Sequence, residues 1–298
     1  MPEVMAQGTN VALGLLFMLG SISCSVIITL ILKYHSTLQG SRIVVLASNY
    51  MVAVFINFIL WGRVDFISLS GSEILFGIGV GFWFIVTFYL FIYSIGRMGV
   101  AISVSVMRLA VVLPILSAVL FFGERPSLWQ IPGMVLAGAA FILFGKATAQ
   151  KENTPRRSFN IGLLAVLFFS MGVTGICLQY FEQKYSADLR NGFLTVVFAV
   201  ALICAWLIVT VRGVAVRASD VKIGLLMGVP NGFSAVCFMS ALRHLPDVLV
   251  FPVNDVSVVL LSTLGVYLIW REKLNRTGWI ALALAVAAIA LMNLKLGN

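Results

Sequence analysis

The sequence predicts an all-α integral membrane protein of ten transmembrane helices, arranged as two inverted five-helix repeats. The first observation is composition: 61% of the 298 residues are hydrophobic and 10% are charged, whereas soluble domains average about a quarter charged residues. The second is the length of the apolar segments, since a helix needs about 20 apolar residues to cross the hydrocarbon core. The third is an internal repeat, in which Glu124 and Glu272 stand at matching places, 272 − 124 = 148 residues apart.

Ten apolar segments satisfy this length rule. Short polar loops that contain basic residues separate each segment from the next. We refer to the segments as spans one to ten, with predicted bounds at residues 10–32, 42–62, 73–95, 99–122, 127–146, 160–181, 191–211, 221–243, 248–270 and 276–294. Span one is too long for the apolar part of a signal peptide and lacks a basic lead-in, so we expect it to remain as a transmembrane helix.

The net charge of +9 comes from the loops, as is typical of cytoplasmic loops in membrane proteins. We therefore expect no nucleic-acid partner. The four cysteines are Cys24, Cys177, Cys204 and Cys237, all inside spans and without metal-ligand spacing. They are interpreted as small buried apolar side chains, not as disulfides or metal ligands.

The longest polar break divides the chain into two predicted repeats, residues 1–148 and 160–298, joined by a cytoplasmic linker at 149–159. The repeats match from their first spans onward, because Gly14 and Gly162 stand in similar surroundings, 162 − 14 = 148 residues apart. Each repeat has an odd number of spans, so the second must enter the membrane upside down relative to the first. Repeats of this kind are typical of secondary transporters.

Loop charges predict the orientation in the membrane. Of the 20 lysine and arginine residues, thirteen lie on the side that holds the linker, and six lie on the opposite side. We therefore expect the linker to be cytoplasmic and both termini to be outside. The predicted location is the bacterial cytoplasmic membrane.

Two charged side chains lie midway along apolar spans at matching positions. Arg108 is in span four and Asp255 in span nine, 255 − 108 = 147 residues apart. Each lies about 12 Å along its helix, near the middle of a core about 30 Å thick. A charge there costs at least about 2.5 kcal/mol, so we expect both to face a cavity and to have partners. Three interpretations stay open: the two pair with each other, they hold opposite ends of a zwitterionic substrate, or Asp255 couples transport to a proton while Arg108 sets its pKa.

Prolines predict helix breaks in three spans, at Pro114, Pro230 and Pro252. Proline frees a backbone carbonyl one turn earlier, and inside a membrane such groups persist only within protein or beside a wet cavity. Broken helices therefore indicate a substrate site, with a packing kink as the alternative. The amides next to two of these prolines, Asn231 and Asn254, are candidate substrate contacts.

Polar and aromatic side chains mark the same predicted cavity. Serine, threonine and asparagine recur on one helix face in spans one, two and six, and span three is rich in aromatic rings that can stack on a ring or a cation. The alternatives are interhelical hydrogen bonds for the polar residues and ordinary packing for the aromatic ones. The further candidate contacts are Ser25, Asn49, Trp83, Tyr89, Tyr93 and Thr174.

The remaining acidic residues of note are Glu124 and Glu272, which end spans four and nine beside basic residues. We predict that they are interfacial, either ion-paired or capping the next helix, and not catalytic. The sequence contains no Walker motif, Gly-x-Ser-x-Gly, His-Glu-x-x-His or Cys-x-x-Cys. We therefore expect no enzyme activity, no cofactor and no metal site.

Span four ends on the sequence Phe-Gly-Glu at 122–124, and Gly133 follows nine residues later. Together with the ten-span layout, this motif of the first repeat resembles the drug/metabolite transporter superfamily, in its EamA-like branch. In the second repeat Trp-Arg-Glu at 270–272 and Ala281 depart from it. The resemblance covers nearly the whole chain. It implies a central cavity lined by spans one to four and six to nine, with spans five and ten set aside as a packing pair.

Small residues independently predict that packing pair. Gly133 and Ala137 lie four apart in span five, and Ala281 and Ala285 hold the corresponding places in span ten. Small residues at this spacing let two helices approach closely in lipid.

The predicted function is secondary transport by alternating access. The predicted cargo is a small polar metabolite that carries a carboxylate, such as an amino acid, and the resemblance favours export. A coupling proton is a further candidate partner, and we expect a monomer or weak homodimer. One alternative is a transporter of sugars or other neutral metabolites in which Arg108 and Asp255 are purely structural. A non-transporting membrane receptor or scaffold is the alternative from another class.

Overall fold

The computed structural model describes residues 10–38, 40–64, 68–98, 100–151, 160–271 and 275–293. Apart from a short 3₁₀ turn at Ala187–Leu189, the regular elements of these ranges are α-helices. They are α1 (Val11–Ser36), α2 (Arg42–Gly62), α3 (Gly71–Met98), α4 (Val100–Leu109), α5 (Val112–Phe121), α6 (Gln130–Lys151), α7 (Ile161–Lys184), α8 (Arg190–Val211), α9 (Ala218–His244), α10 (Asp247–Trp270) and α11 (Arg276–Asn293).

The described ranges contain nine segments long and apolar enough to cross a membrane, and one shorter apolar helix, α11. One of the nine, Ile102–Phe121, runs through α4 and α5. The prediction of an all-α integral membrane protein is therefore confirmed. The inversion of the repeats stays a prediction, and most of the linker, both chain ends and Glu272 lie outside the described residues.

Side-chain caps begin several of these helices. The Oδ1 atom of Asn10 accepts the Leu13 N–H at 3.2 Å, and that of Asn160 accepts the Leu163 N–H at 3.0 Å. Such caps give partners to N–H groups that the first turn of a helix leaves unpaired. The first helices of the two predicted repeats, α1 and α7, thus begin in the same way.

The helix of span four is interrupted, whereas those of spans eight and nine are continuous. Pro114 has no N–H to offer the Ala110 carbonyl, which instead accepts the Leu113 N–H at 3.0 Å, and the chain leaves the α-helical path between α4 and α5. α9 passes through Pro230 and α10 through Pro252 without a break. The expected breaks in spans eight and nine were therefore wrong, because each of these helices keeps its α-helical path around the missing hydrogen bond.

The chain forms two compact units, and each takes helices from both halves of the sequence. The first unit comprises residues up to 86 and 180–244, and the second comprises 87–179 and residues from 245 onward. α3 and α7 each contribute residues to both units. The division into sequence repeats at 1–148 and 160–298 stays a prediction.

In the first unit, α9 packs against both α1 and α2, and a stripe of glycines on α9 faces α2. A Cβ atom added at Gly224 would collide with the Val45 carbonyl oxygen, and one at Gly228 would lie 2.6 Å from the Asn49 carbonyl oxygen. Gly232, four residues further on, lies against Ile56. The backbones of α2 and α9 therefore approach more closely than side chains larger than hydrogen allow.

A buried polar clip joins the end of α1 to the start of α9 in this unit. The Nε2 atom of His35 lies 3.0 Å from Oδ1 of Asp220, and both side chains are almost fully buried. The Ser41 N–H donates to the other carboxylate oxygen at 2.9 Å. Gly40 must remain a glycine here, because a Cβ atom would collide with Asp220 and His35.

In the second unit, α6 packs closely against α11. Ala137, Ala281 and Ala285 are buried, and a Cβ atom at Gly133 would lie 2.6 Å from Cγ of Met292. The predicted packing of span five on span ten is confirmed. The small residues that predicted it form the contact.

Candidate functional site

Arg108 and Asp255 form a direct ion pair in the second unit. The NH1 group of Arg108 donates to Oδ1 of Asp255 at 3.1 Å, and the Asn254 side chain also hydrogen-bonds to this carboxylate. The Nε atom of Arg108 is buried and has no hydrogen-bond partner. The two side chains are thus in direct contact, as the first of the three interpretations holds. The other two concern what the pair binds and stay predictions.

The two charges occupy different kinds of helical position. Arg108 lies in the last turn of α4, where the negative end of the helix dipole favours a cation. Asp255 lies well inside α10, 255 − 247 = 8 residues after its start, or about 12 Å along the axis. The break between α4 and α5 places the arginine at a helix end, which an unbroken span four would not do.

The pair is only partly shielded. The side chain of Arg108 is 21% exposed and that of Asp255 is 24% exposed. A guanidinium group presents five N–H donors in a planar fork that matches a carboxylate. The exposed fraction gives the arginine the capacity to bind a further anionic ligand.

The helix α7 packs closely against the break between α4 and α5. A Cβ atom at Gly172 would collide with Leu113, and one at Gly175 would lie 3.1 Å from Cγ of Pro114 and 3.2 Å from Cε1 of Phe251. The backbone of α7 therefore contacts the start of α5 and one turn of α10. The sequence analysis did not identify these two glycines, although small residues three apart in an apolar span are the kind of signal that indicates close helix packing.

Three other candidate contacts belong to the second unit. Tyr93 is largely exposed, with the Arg97 guanidinium 5.3 Å from its ring centroid. The Thr174 hydroxyl donates to the Ser170 carbonyl oxygen of its own helix at 3.1 Å. Tyr89 is half-buried on α3. Of the predicted residues in this unit, the structure brings Asn254 into contact with the ion pair.

The remaining four candidates belong to the first unit. The hydroxyl of Ser25 lies 2.9 Å from that of Ser234, so it links α1 to α9, as the interhelical alternative predicted. Asn49 is buried on α2, and its Oδ1 atom has no hydrogen-bond partner. Trp83 on α3 and Asn231 on α9 are half-buried.

Glu124 has a partner that the sequence did not indicate. We predicted that it caps the next helix or forms an ion pair, but its carboxylate accepts the backbone N–H groups of Asp247 and Val248 at the start of α10. The next helix, α6, is capped by Ser127 and Gln130 instead. Burial raises the pKa of the Glu124 carboxyl, while the two N–H donors act in the opposite sense.

Comparisons with known proteins agree with this architecture. Residues 159–294 match the EamA-like transporter family. An uncharacterized protein of Haemophilus influenzae is 25% identical over 282 residues, which cover 90% of this chain and 94% of the relative. A solved crystal structure superposes with a TM-score of 0.73 at 15% identity, covering 94% of this chain and 96% of the other. This last likeness supports the fold alone.

Proposed function

We propose that this chain, whose residues 159–294 match the EamA-like transporter family, is a membrane transporter of the drug/metabolite transporter superfamily and moves a small zwitterionic or carboxylate metabolite such as an amino acid. As a membrane transporter of this superfamily, it acts on a small molecule from within a lipid bilayer. The proposed mechanism is alternating access in the bacterial cytoplasmic membrane, with export as the direction. The observation that carries the proposal is the partly exposed Arg108–Asp255 pair beside the break in span four.

The choice of a carboxylate follows from the chemistry of the arginine. Burying a charge within a membrane is costly, so residues of this kind are normally retained for a ligand, an ion pathway or a partner. Arg108 donates to Asp255 through NH1, and 21% of its side chain is exposed. A substrate carboxylate can bind the exposed part of the guanidinium group, and the neighbouring Asp255 carboxylate suits the ammonium end of the same molecule.

Proton coupling fits the same pair. A substrate carboxylate that binds Arg108 competes with Asp255 for the guanidinium. With a zwitterionic substrate, the ammonium group replaces Arg108 as the partner of Asp255. With a substrate that has a carboxylate and no ammonium group, the displaced Asp255 is an anion without a partner and a proton neutralises it, so Asp255 is the proposed coupling carboxylate for substrates of that kind.

The direct contact between the two side chains also favours a second candidate, a transporter of sugars or other neutral metabolites. In that case the 3.1 Å contact only holds α4 against α10, and the substrate is bound elsewhere. The two candidates differ in what happens when both charges are removed together.

The test is ligand-induced stabilisation of the purified full-length protein, screened against the common amino acids and a set of neutral sugars. A ligand that binds the folded state raises the apparent Tm. We expect a carboxylate-bearing compound to do so, and we expect Arg108→Lys to keep the Tm of the free protein but lose this shift, because lysine lacks the two-pronged fork. Arg190→Lys is the matched control, since Arg190 forms an ion pair with Glu182 in the first unit. We expect this variant to keep the rise in apparent Tm that the ligand causes.

The double variant Arg108→Gln, Asp255→Asn separates the two candidates. If the pair holds the substrate, this variant folds but shows no shift with the compound that stabilises the wild type. A shift of normal size in the double variant, or stabilisation by neutral sugars alone, would reject the carboxylate proposal in favour of the second candidate.

A further inference from the structure

Glu124 joins two helices that are far apart in the sequence. One carboxylate oxygen accepts the Asp247 N–H and the other accepts the Val248 N–H, both at 2.9 Å. The first N–H groups of a helix have no partner within the helix, and its positive end favours a carboxylate. Glu124 therefore caps α10 from the segment that follows α5.

The backbone before Glu124 is shaped for this contact. Gly123 adopts a left-handed conformation with φ of 69°, which glycine reaches without steric cost. The Glu124 N–H then donates back to the Ala118 carbonyl oxygen of α5 at 3.0 Å. These two features hold the residue at the end of α5, with its side chain on α10.

The helices α5 and α10 pack against each other and are tied at two levels. At one end is the Glu124 cap on Asp247 and Val248. At the other, Arg108, which lies just before the break that starts α5, bonds to Asp255 of α10. The two ties are about 12 Å apart along α10, because 255 − 247 = 8 residues separate them at 1.5 Å per residue.

A second side chain fixes the capped end. The Nε2 group of Gln179 on α7 donates to Oδ2 of Asp247 at 2.8 Å, and both side chains are fully buried. The start of α10 is thus held by its backbone through Glu124 and by its first side chain through Gln179. The cap is therefore a built part of this end of the helix.

We propose that Glu124 is a positioning residue for the Arg108–Asp255 pair, because it fixes the axial position of α10 against α5. Slippage of α10 by one residue amounts to about 1.5 Å. The pair is in contact at 3.1 Å, and a side-chain hydrogen bond is lost beyond about 3.5 Å. The ion pair therefore tolerates less than one residue of slippage, and the cap at the far end prevents it.

The inference deepens the proposed function and rests on it for the statement that the pair is a substrate site. Its test is independent of any substrate, because it measures the energetic coupling between Arg108 and Asp255. That coupling is the non-additivity of Arg108→Gln and Asp255→Asn in a double-mutant cycle. A general loss of stability cancels within such a cycle, so a merely structural role of Glu124 leaves the coupling unchanged.

The experiment runs this cycle on the full-length protein in detergent, in three backgrounds: wild type, Glu124→Gln and Glu73→Gln. Thermal unfolding is followed with a thiol-reactive dye, for which the four half-buried cysteines serve as reporters. Glutamine can accept only one of the two N–H groups and presents its NH₂ to the other. Glu73 is the matched control, since its carboxylate likewise accepts a backbone N–H at the start of a helix, that of Ser70 before α3 in the first unit.

We expect the non-additivity in apparent Tm to fall by at least half in the Glu124→Gln background and to stay at the wild-type value in the Glu73→Gln background. An unchanged non-additivity with Glu124→Gln, or an equal fall in both backgrounds, overturns the inference. Glu124→Asp, which keeps the charge but shortens the side chain, is run in parallel and should also weaken the coupling. If neither Glu124 variant folds, Glu124 is needed for folding and not for the axial position, which also overturns the assignment.

The proposed function fails separately from this inference. A coupling that depends on Glu124, together with no stabilisation by any amino acid, supports the positioning role and removes the substrate role of the pair. Amino-acid binding together with a coupling that does not depend on Glu124 supports the substrate role of the pair and removes the positioning role of Glu124.

Discussion

The glycine stripe of α9 allows us to predict the loss of stability that a larger side chain causes there. In Gly228→Ala, the new Cβ atom would lie 2.6 Å from the Asn49 carbonyl oxygen and from Cβ of Val52. Ordinary van der Waals contact begins at 3.4 Å, so α2 and α9 must separate by about 3.4 − 2.6 = 0.8 Å. Overpacking of this kind costs about 1–3 kcal/mol, and at about 2–4 °C per kcal/mol we expect the apparent Tm to fall by about 2–12 °C.

The assay is thermal unfolding of the purified protein with the thiol-reactive dye. Gly138→Ala is the control, because Gly138 lies within α6 and a Cβ atom there meets nothing within 4 Å. We expect no loss of stability from this second variant. Equal Tm values for the two variants would refute the close approach of α2 and α9 at Gly228.

Two further predictions concern the buried clip and the orientation. Asp220→Asn replaces the carboxylate that bonds to His35 and removes one of the two acceptors at this position, so we expect a loss of about 1–3 kcal/mol, measured as a lower apparent Tm. An unchanged Tm would contradict the clip, since about 2–4 °C is expected for each kcal/mol. Cysteines introduced at Thr154 and Asn298 are expected to react with an impermeant thiol reagent from opposite sides of the membrane, and labelling of Thr154→Cys from outside intact cells would mean that the predicted orientation is inverted.

Much of the fold could be predicted because the membrane simplifies the reading of a sequence. Each span must satisfy its backbone hydrogen bonds internally, so apolar length alone predicts a helix. The packing of α6 on α11 was also predictable, because small residues four apart are a local signal of close helix approach. The contact between Arg108 and Asp255 was one of the alternatives, since two costly charges at matching depth favour each other as partners.

The position of the helix break was not predictable from the prolines. A proline removes one hydrogen bond, and the tertiary surroundings decide whether the helix also breaks. Pro252 lies in a part of α10 that is buried by its neighbours, and the helix continues. At Pro114 the freed Ala110 carbonyl accepts the Leu113 N–H instead, and the helix is interrupted between α4 and α5.

The partner of Glu124 was not predictable for a different reason. The N–H groups that it accepts are more than 120 residues further along the chain, so no local pattern records the contact. A glutamate after a helix and before another suggests a cap for the nearer one. The structure uses Ser127 and Gln130 for that cap, which leaves Glu124 available for α10.

The composition of the first unit has a consequence for how this protein is made. α1 and α2 leave the ribosome early, yet their packing partner α9 ends only at His244, about 200 residues after Ser36. At about 5–20 residues per second, α1 waits roughly 10–40 s in the bilayer for that partner. During this time the carboxamide of Asn49 and the hydroxyl of Ser48, both buried in the finished protein, face lipid or a helper protein. Biogenesis of this chain therefore makes an early demand on the insertion machinery, when the polar side chains of α2 that are buried in the finished protein do not yet have α9 to pack against.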